Sequence, residues 1–305
     1  MPTVEFHEVD VWYKNFQALH NISFDIGTGA IGLLGPNGAG KSTVMKTILG
    51  FNRAKTGTVT ILDHEMPRHA LDIRQKIGYM PEREILSPLI SAVSFLTYCG
   101  QLFGMNRVEG LERAHEVLNY VNLGEARYRP METYSTGMLQ RVKLGQALIH
   151  DPKLLLLDEP TNGLDPDARL EMLELVRDLA YNRKVTVILC SHLLPDVQHV
   201  CEHILIINEG KVVSQGSIEE LTALQEEKFE VRVRDNKSQF IQQVLEKGFQ
   251  CGELKNGDLL ISQANGQSRR ALFEIAKNCN TQIRHFRPAR KTLADAFMHA
   301  IGNAD

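Results

Sequence analysis

Residues 35–43 read Gly-Pro-Asn-Gly-Ala-Gly-Lys-Ser-Thr, a complete G-x-x-x-x-G-K-[ST] loop. Such a loop works only between a buried strand and the start of a helix. Both neighbours fit: Ala30 to Leu34 is a continuous apolar run, and Val44 to Leu49 has helical character. The segment therefore demands an α/β core built around a phosphate-binding loop. Glycines let backbone N–H groups close around phosphates where side chains would block them. Gly35, Pro36, Asn37, Gly38, Ala39, Gly40, Lys41, Ser42 and Thr43 are thus candidate nucleotide contacts. Lys41 supplies a point charge to the β and γ phosphates, and Ser42 offers its hydroxyl to Mg²⁺. The helix N-terminus adds its positive dipole.

Composition narrows the classes further. A length of 305 residues suggests two domains. A net charge of −3 gives the whole chain no bias toward nucleic acid or membrane. No apolar run reaches the roughly 18 residues a membrane span requires. The first residues, MPTVEFHEVD, are acidic and lack a signal core, so a cytoplasmic location is expected. Cys99, Cys190, Cys201, Cys251 and Cys279 are scattered, with no C-x-x-C pair. That pattern suits reduced thiols and argues against zinc or a disulfide framework.

Residues 4–13 and 18–27 alternate apolar and polar residues as half-buried strands do. Further strands are expected at Thr56–Leu62 and Lys76–Met80, and helical spacing runs from Leu89 to about Tyr120 with a break near Gly104. Lys153–Leu157 and Lys184–Cys190 read as fully buried parallel strands, Pro166–Tyr181 as a helix, and 203–215 as a hairpin turning at Asn208–Lys211. A polar, helical stretch at 221–228 separates residues 1–222 from a second α/β unit at 228–305. There strands are expected at 229–234, 258–262 and 281–287, with helices at 238–247, 267–277 and 291–301.

Leu154 to Pro160 is an apolar strand closing on Asp158-Glu159. Asp158 would hold the Mg²⁺ shell at the C-terminal edge of a parallel sheet. Glu159 would polarise the attacking water. Upstream lies Tyr134-Ser135-Thr136-Gly137-Met138-Leu139-Gln140-Arg141; downstream come Asn162-Gly163-Leu164-Asp165 and Ser191-His192. In this order the motifs resemble the nucleotide-binding domain of ATP-binding cassette (ABC) transporter ATPases, over residues 1 to about 220. The resemblance implies a phosphate-loop cassette with a mixed sheet core, an antiparallel β subdomain and a helical subdomain. ATP and Mg²⁺ are the implied cofactors.

The same resemblance assigns roles. Tyr13 matches the aromatic residue that stacks on adenine, with Trp12 the rival; a π-face suits a flat base. Lys41, Glu159 and His192 are the catalytic candidates, and His192 would bond the γ-phosphate. Ser42, Asp158 and Glu82 would hold the metal. Ser135 and Gly137 would close over the γ-phosphate of a facing subunit.

Two departures stand out. Thr136 and Met138 replace a glycine and a glutamine of the usual signature, while the serine and second glycine remain. Glu82 stands where the Q-loop normally has glutamine, adding negative charge near the phosphates. The Tyr-Ser-x-Gly-Met form and the segment Pro288 to Phe297 are similar to ABC-2-type export ATPases.

One chain carries one set of motifs, so the resemblance implies a second ABC subunit, either a copy or a paralogue. It also implies a separate transmembrane permease, placing the protein at the cytoplasmic face of a membrane. Leu86, Leu89, Phe95, Tyr98 and Phe103 read mainly as core, with Arg83–Pro88 as a docking edge. The alternative is a soluble ABC ATPase acting on nucleic acid or ribosomes. The basic run Arg284–Lys291 reads as a solvated strand end, and no nucleic-acid partner is expected.

Overall fold

The computed structural model describes residues 2–83, 87–222, 224–254, 256–262, 269–290 and 292–302. They divide into two compact units, residues 1–218 with 297–305, and residues 219–296.

The first unit opens with β1 (Val4–Tyr13) and β2 (Phe16–Ile26), an antiparallel hairpin turning at Lys14 and Asn15. Val4 and Phe6, then Val9 and Val11, are buried along β1, a period of two on each side of a register shift at His7 and Glu8. β3 (Ala30–Leu34) is buried at every position and feeds the glycine-rich loop and α1 (Lys41–Ile48). β4 (Thr56–Ile61) and β5 (His64–Glu65) complete an antiparallel sheet in the order β2-β1-β4-β5. α2 (Ala70–Arg74) and β6 (Ile77–Met80) follow.

The helical reading of 89–120 resolves into α3 (Ala92–Leu102) and α4 (Arg107–Tyr120). Gly104 at φ 91° makes the break, and Asn106 with Glu109 caps α4 reciprocally. Phe95 is buried, whereas Leu89, Tyr98 and Phe103 are exposed, so three of the expected core residues lie at the surface. Tyr98 lies on the exposed face of α3, Leu89 precedes the helix, and Phe103 follows it, half-exposed and stacked on His150 with ring centroids 3.9 Å apart. Leu86 lies outside the described residues.

α5 (Thr136–Leu148), β7 (Leu154–Asp158), α6 (Pro166–Tyr181), β8 (Thr186–Cys190) and α7 (Leu194–Val200) come next. β9 (His203–Asn208) and β10 (Lys211–Ser217) form the expected hairpin. The central sheet runs β10-β9-β3-β8-β7-β6, parallel throughout except for β10. Its strands end together beside the loop at 35–40. α5 packs on β6 so closely that a Cβ on Gly78 would lie 2.2 Å from the Ala147 carbonyl oxygen.

The second unit begins within α8 (Ile218–Leu221). It comprises β11 (Leu224–Val233), α9 (Lys237–Glu246), β12 (Gln250–Glu253), β13 (Leu259–Ser262), α10 (Arg270–Asn278), β14 (Ile283–Arg290) and the first residues of α11 (Leu293–Gly302), which from Phe297 on is grouped with the first unit. The strands make an antiparallel sheet in the order β12-β13-β11-β14, over a core that includes Phe229, Phe240, Val244, Ile261 and Leu272. The stretch read as helical at 221–228 is largely strand, because Leu224 and Gln225 pair with Arg290 and Ala289. Most of the basic run lies in β14, where Arg287 pairs with Glu230 at 2.6 Å. Among the described residues, no helix is long and apolar enough to cross a membrane.

A backbone oxygen cannot rotate aside as a side chain can. Gly78→Ala should therefore lower stability by about 1–3 kcal/mol, read as a lower thermal unfolding midpoint. An unchanged midpoint would contradict the close packing of α5 on β6.

Candidate functional site

The loop leaving β3 is shaped by its glycines. Gly40 caps α1 at φ 109°, and Gly38 has φ 83°, both in the left-handed region where L side chains are strained. Lys41 folds back over the loop, its Nζ donating to the carbonyls of Gly35 at 2.7 Å and Pro36 at 3.0 Å. The loop is tied to the β9–β10 turn by the Gly210 N–H, which donates to the Ala39 carbonyl at 2.9 Å.

Register in the parallel sheet aligns the remaining groups. Cys190 at the end of β8 lies opposite both Leu33 of β3 and Asp158 of β7. Glu159 follows at φ 51°, and its N–H donates to the Cys190 carbonyl at 2.9 Å. Its carboxylate accepts the His192 main-chain N–H at 2.9 Å, and His192 Nδ1–H donates to the other oxygen at 2.8 Å. Burial raises the Glu159 carboxyl above the usual carboxylate range, while the bonds and charge of His192 pull it back. Burial also raises Asp158, opposed by the Cys190 thiol and by the charges of Lys41 and Lys143.

These residues meet in a cleft of about 450 Å³ lined by Tyr13, Asn37, Gly38, Gly40, Lys41, Ser42, Thr43, Glu82, Asp158, Glu159 and His192. Gly35, Pro36 and Ala39 belong to the same loop but do not line the cleft. Tyr13 lines it and accepts a 2.6 Å bond from the Asn52 amide, whereas Trp12 lies under Lys55, 4.4 Å from the ammonium. Ser135 and Gly137 are absent from the lining. Ser135 caps α5, its Oγ accepting the Met138 N–H at 3.3 Å, and its side is exposed.

Phe16, Ala18, Asn162 and Cys190 also line the cleft and were not anticipated. Phe16 had a readable signal, since it faces Tyr13 across a tight hairpin turn. Cys190 had none, because its role comes from its neighbours in the sheet.

A glycine-rich loop at the end of a parallel strand, with Asp-Glu at the end of β7 two strands across, is the arrangement of a phosphate-loop nucleotide-binding protein. Residues 19–162 match the family model described as ABC transporter. An uncharacterized ABC transporter ATP-binding protein of Synechocystis is 33% identical over 291 residues, covering 94% of this chain and 79% of that protein. A Nod factor export ATP-binding protein I of Cupriavidus metallidurans is 32% identical over 219 residues, covering 72% of each. Among solved structures, a dimeric ATP-binding cassette in a post-hydrolysis state with ADP and Pi superposes with a TM-score of 0.63. It is 26% identical, and the match covers 70% of this chain and 98% of that one. The chain belongs to the ATP-binding proteins of ABC transporters and is an ABC-type ATPase.

His192→Ala would remove the imidazole bond and its charge but keep the main-chain bond to Glu159. Both lost contributions lower the Glu159 pKa, so its carboxyl should titrate at higher pH in the variant. Carbon NMR of labelled glutamate reads this directly. An equal or lower titration point would show that the imidazole does not act on the carboxylate.

Proposed function

We propose that this protein is the ATP-hydrolysing subunit that powers a separate membrane permease, in the export direction. The observation that carries the reading is the convergence of Lys41, Asp158, Glu159 and His192 on one cleft. Residues 1–222 would form the nucleotide-binding domain, with 228–305 as an accessory unit.

In this reading the 35–43 loop and the α1 N-terminus hold the ATP phosphates, and Lys41 leaves the loop carbonyls to bond them. Tyr13 stacks on adenine, and Phe16 closes the same end of the cleft. Ser42, Asp158 and Glu82 offer only oxygen donors, a set that fits Mg²⁺. When bound there, Mg²⁺ would neutralise charge on the β- and γ-phosphate oxygens. Glu159 orients the attacking water and accepts its proton, a task favoured by its burial-raised pKa. His192, anchored through Nδ1, keeps Nε2 for the γ-phosphate.

Ser135 and Gly137 lie at an exposed helix start outside the chain's own cleft. They suit the γ-phosphate of a second cassette, either a copy or a paralogue, that closes on ATP and opens after hydrolysis. The dimeric likeness with ADP and Pi supports this arrangement. The permease would dock near Arg83 and the exposed apolar residues Leu89, Tyr98 and Leu102. The protein would then act at the cytoplasmic face of the membrane. The Nod factor export relative supports export. The permease, rather than this chain, would select the substrate.

Glu159→Gln should keep ATP binding and slow hydrolysis about a hundredfold or more. Normal turnover would exclude Glu159 as the base and turn attention to Glu82. Charge reversal at Arg83 should weaken transport more than basal hydrolysis, and the protein should reach membranes only with its permease co-expressed. Stable association with ribosomes or DNA, and with no membrane protein, would contradict the transport reading.

A further inference from the structure

The cleft has an uneven charge balance. Three carboxylates line it, Glu82, Asp158 and Glu159, yet Lys41 is the one lysine or arginine among its lining residues. ATP would bring more negative charge into the same space. Like charges this close repel, and partial burial strengthens the repulsion. Mg²⁺ would offset much of this when bound, and a second fixed protein cation nearby would offset more.

Lys143 is such a cation, behind the cleft wall. It lies on α5 and is only 2% exposed, the one buried lysine among the described residues. An ammonium persists at such a position only where bonds replace its water. Its Nζ donates to the main-chain carbonyl of Glu82 at 2.9 Å. The close approach of α5 to β6 makes the contact possible. Gly78 faces the Ala147 carbonyl; from there the chain runs up to about 13 Å, through the end of β6 and Pro81, to Glu82. Meanwhile α5 rises only about 6 Å back to Lys143. The long lysine stem spans the difference, which a shorter side chain would not. The Lys143 charge also acts on Asp158, in the same sense as that of Lys41.

We propose that Lys143 is a positioning residue for the nucleotide site: it fastens the Glu82 backbone and offsets the negative charge that Glu82 adds beside Asp158. The proposal rests on the placement of ATP and its metal given above. Lys143 touches no nucleotide. Its bond is to Glu82 and its charge acts on Asp158 against that of Glu82, so part of its effect depends on the charge at position 82.

The test is a double-mutant cycle on the full chain. MgATP affinity is read with a fluorescent ATP analogue, and hydrolysis is measured alongside. Lys143→Met should weaken MgATP binding about tenfold, the size of a contact-level coupling. Adding Glu82→Gln should restore the part of that loss owed to the uncompensated charge, while the main-chain tether stays broken. Lys143→Arg should stay near the wild-type value, since it keeps both a donor and the charge. If Lys143→Met does not fold, Lys143→Gln carries the same cycle with a neutral polar side chain too short to reach the Glu82 carbonyl. Rescue by Glu82→Gln supports the proposal; losses that simply multiply overturn it. Lys41→Ala in the same assay separates the two levels. Undiminished binding there defeats the placement of ATP, whereas lost binding there without coupling between 143 and 82 defeats only the role of Lys143.

Discussion

One rung of the parallel sheet organises the site. Leu33, Cys190 and Asp158 lie side by side on β3, β8 and β7, held by main-chain bonds between buried strands. Each strand then releases its functional residues at the same level. β3 gives the glycine-rich loop, β7 gives Glu159, and β8 gives His192 two residues on. A shift of one residue in this register would exchange the faces of every side chain on the strand. The uniformly apolar runs Ala30–Leu34 and Leu154–Leu157 cannot resist such a shift by themselves; Gly32, where a Cβ would lie 2.3 Å from Val197 Cγ1, and Asp158, the polar end of its strand, are the position-specific features.

The electrostatics follow from that geometry. Strands buried on both faces place Asp158 and Glu159 where water is scarce, which raises both carboxyls. A carboxylate with a raised pKa is a better proton acceptor from water, but an unsupported buried carboxylate would be misplaced. The two bonds from His192 hold Glu159 in one orientation, and the Glu159 N–H is itself fixed to Cys190. Lys41 and Lys143 then act on Asp158 from two sides, one from the loop and one from α5.

Much of this was legible in the sequence because the demands are local. A glycine at φ 109°, a lysine that must fold over the loop and an acidic pair closing an apolar strand all leave marks in adjacent residues. What was missed depends on distant partners. β12 carries no alternation and exists because β13 offers it an edge. Leu224 and Gln225 read as polar helix but pair with β14. Lys143 looks like a solvated helix residue, yet α5 is buried at Gln140, Val142, Lys143, Leu144, Gly145, Ala147 and Leu148. With so many faces covered, no single apolar stripe marks which polar residues point inward. Tyr98 and Phe103 err in the other direction, since aromatic residues at helical spacing read as core but here meet solvent.

The central claim is that one chain supplies two halves of two different ATP sites, the loop around Lys41 and the helix start at Ser135. Subunit mixing tests it most directly. Lys41→Ala and Ser135→Arg proteins should each be inactive alone, because every site then contains a damaged half. Combined, they should form heterodimers in which one of the two sites pairs an intact loop with an intact Ser135. Recovered ATP hydrolysis on mixing is the predicted result for a dimer of identical chains. No recovery on mixing, with wild-type protein that hydrolyses ATP while remaining monomeric at every concentration, would contradict the account.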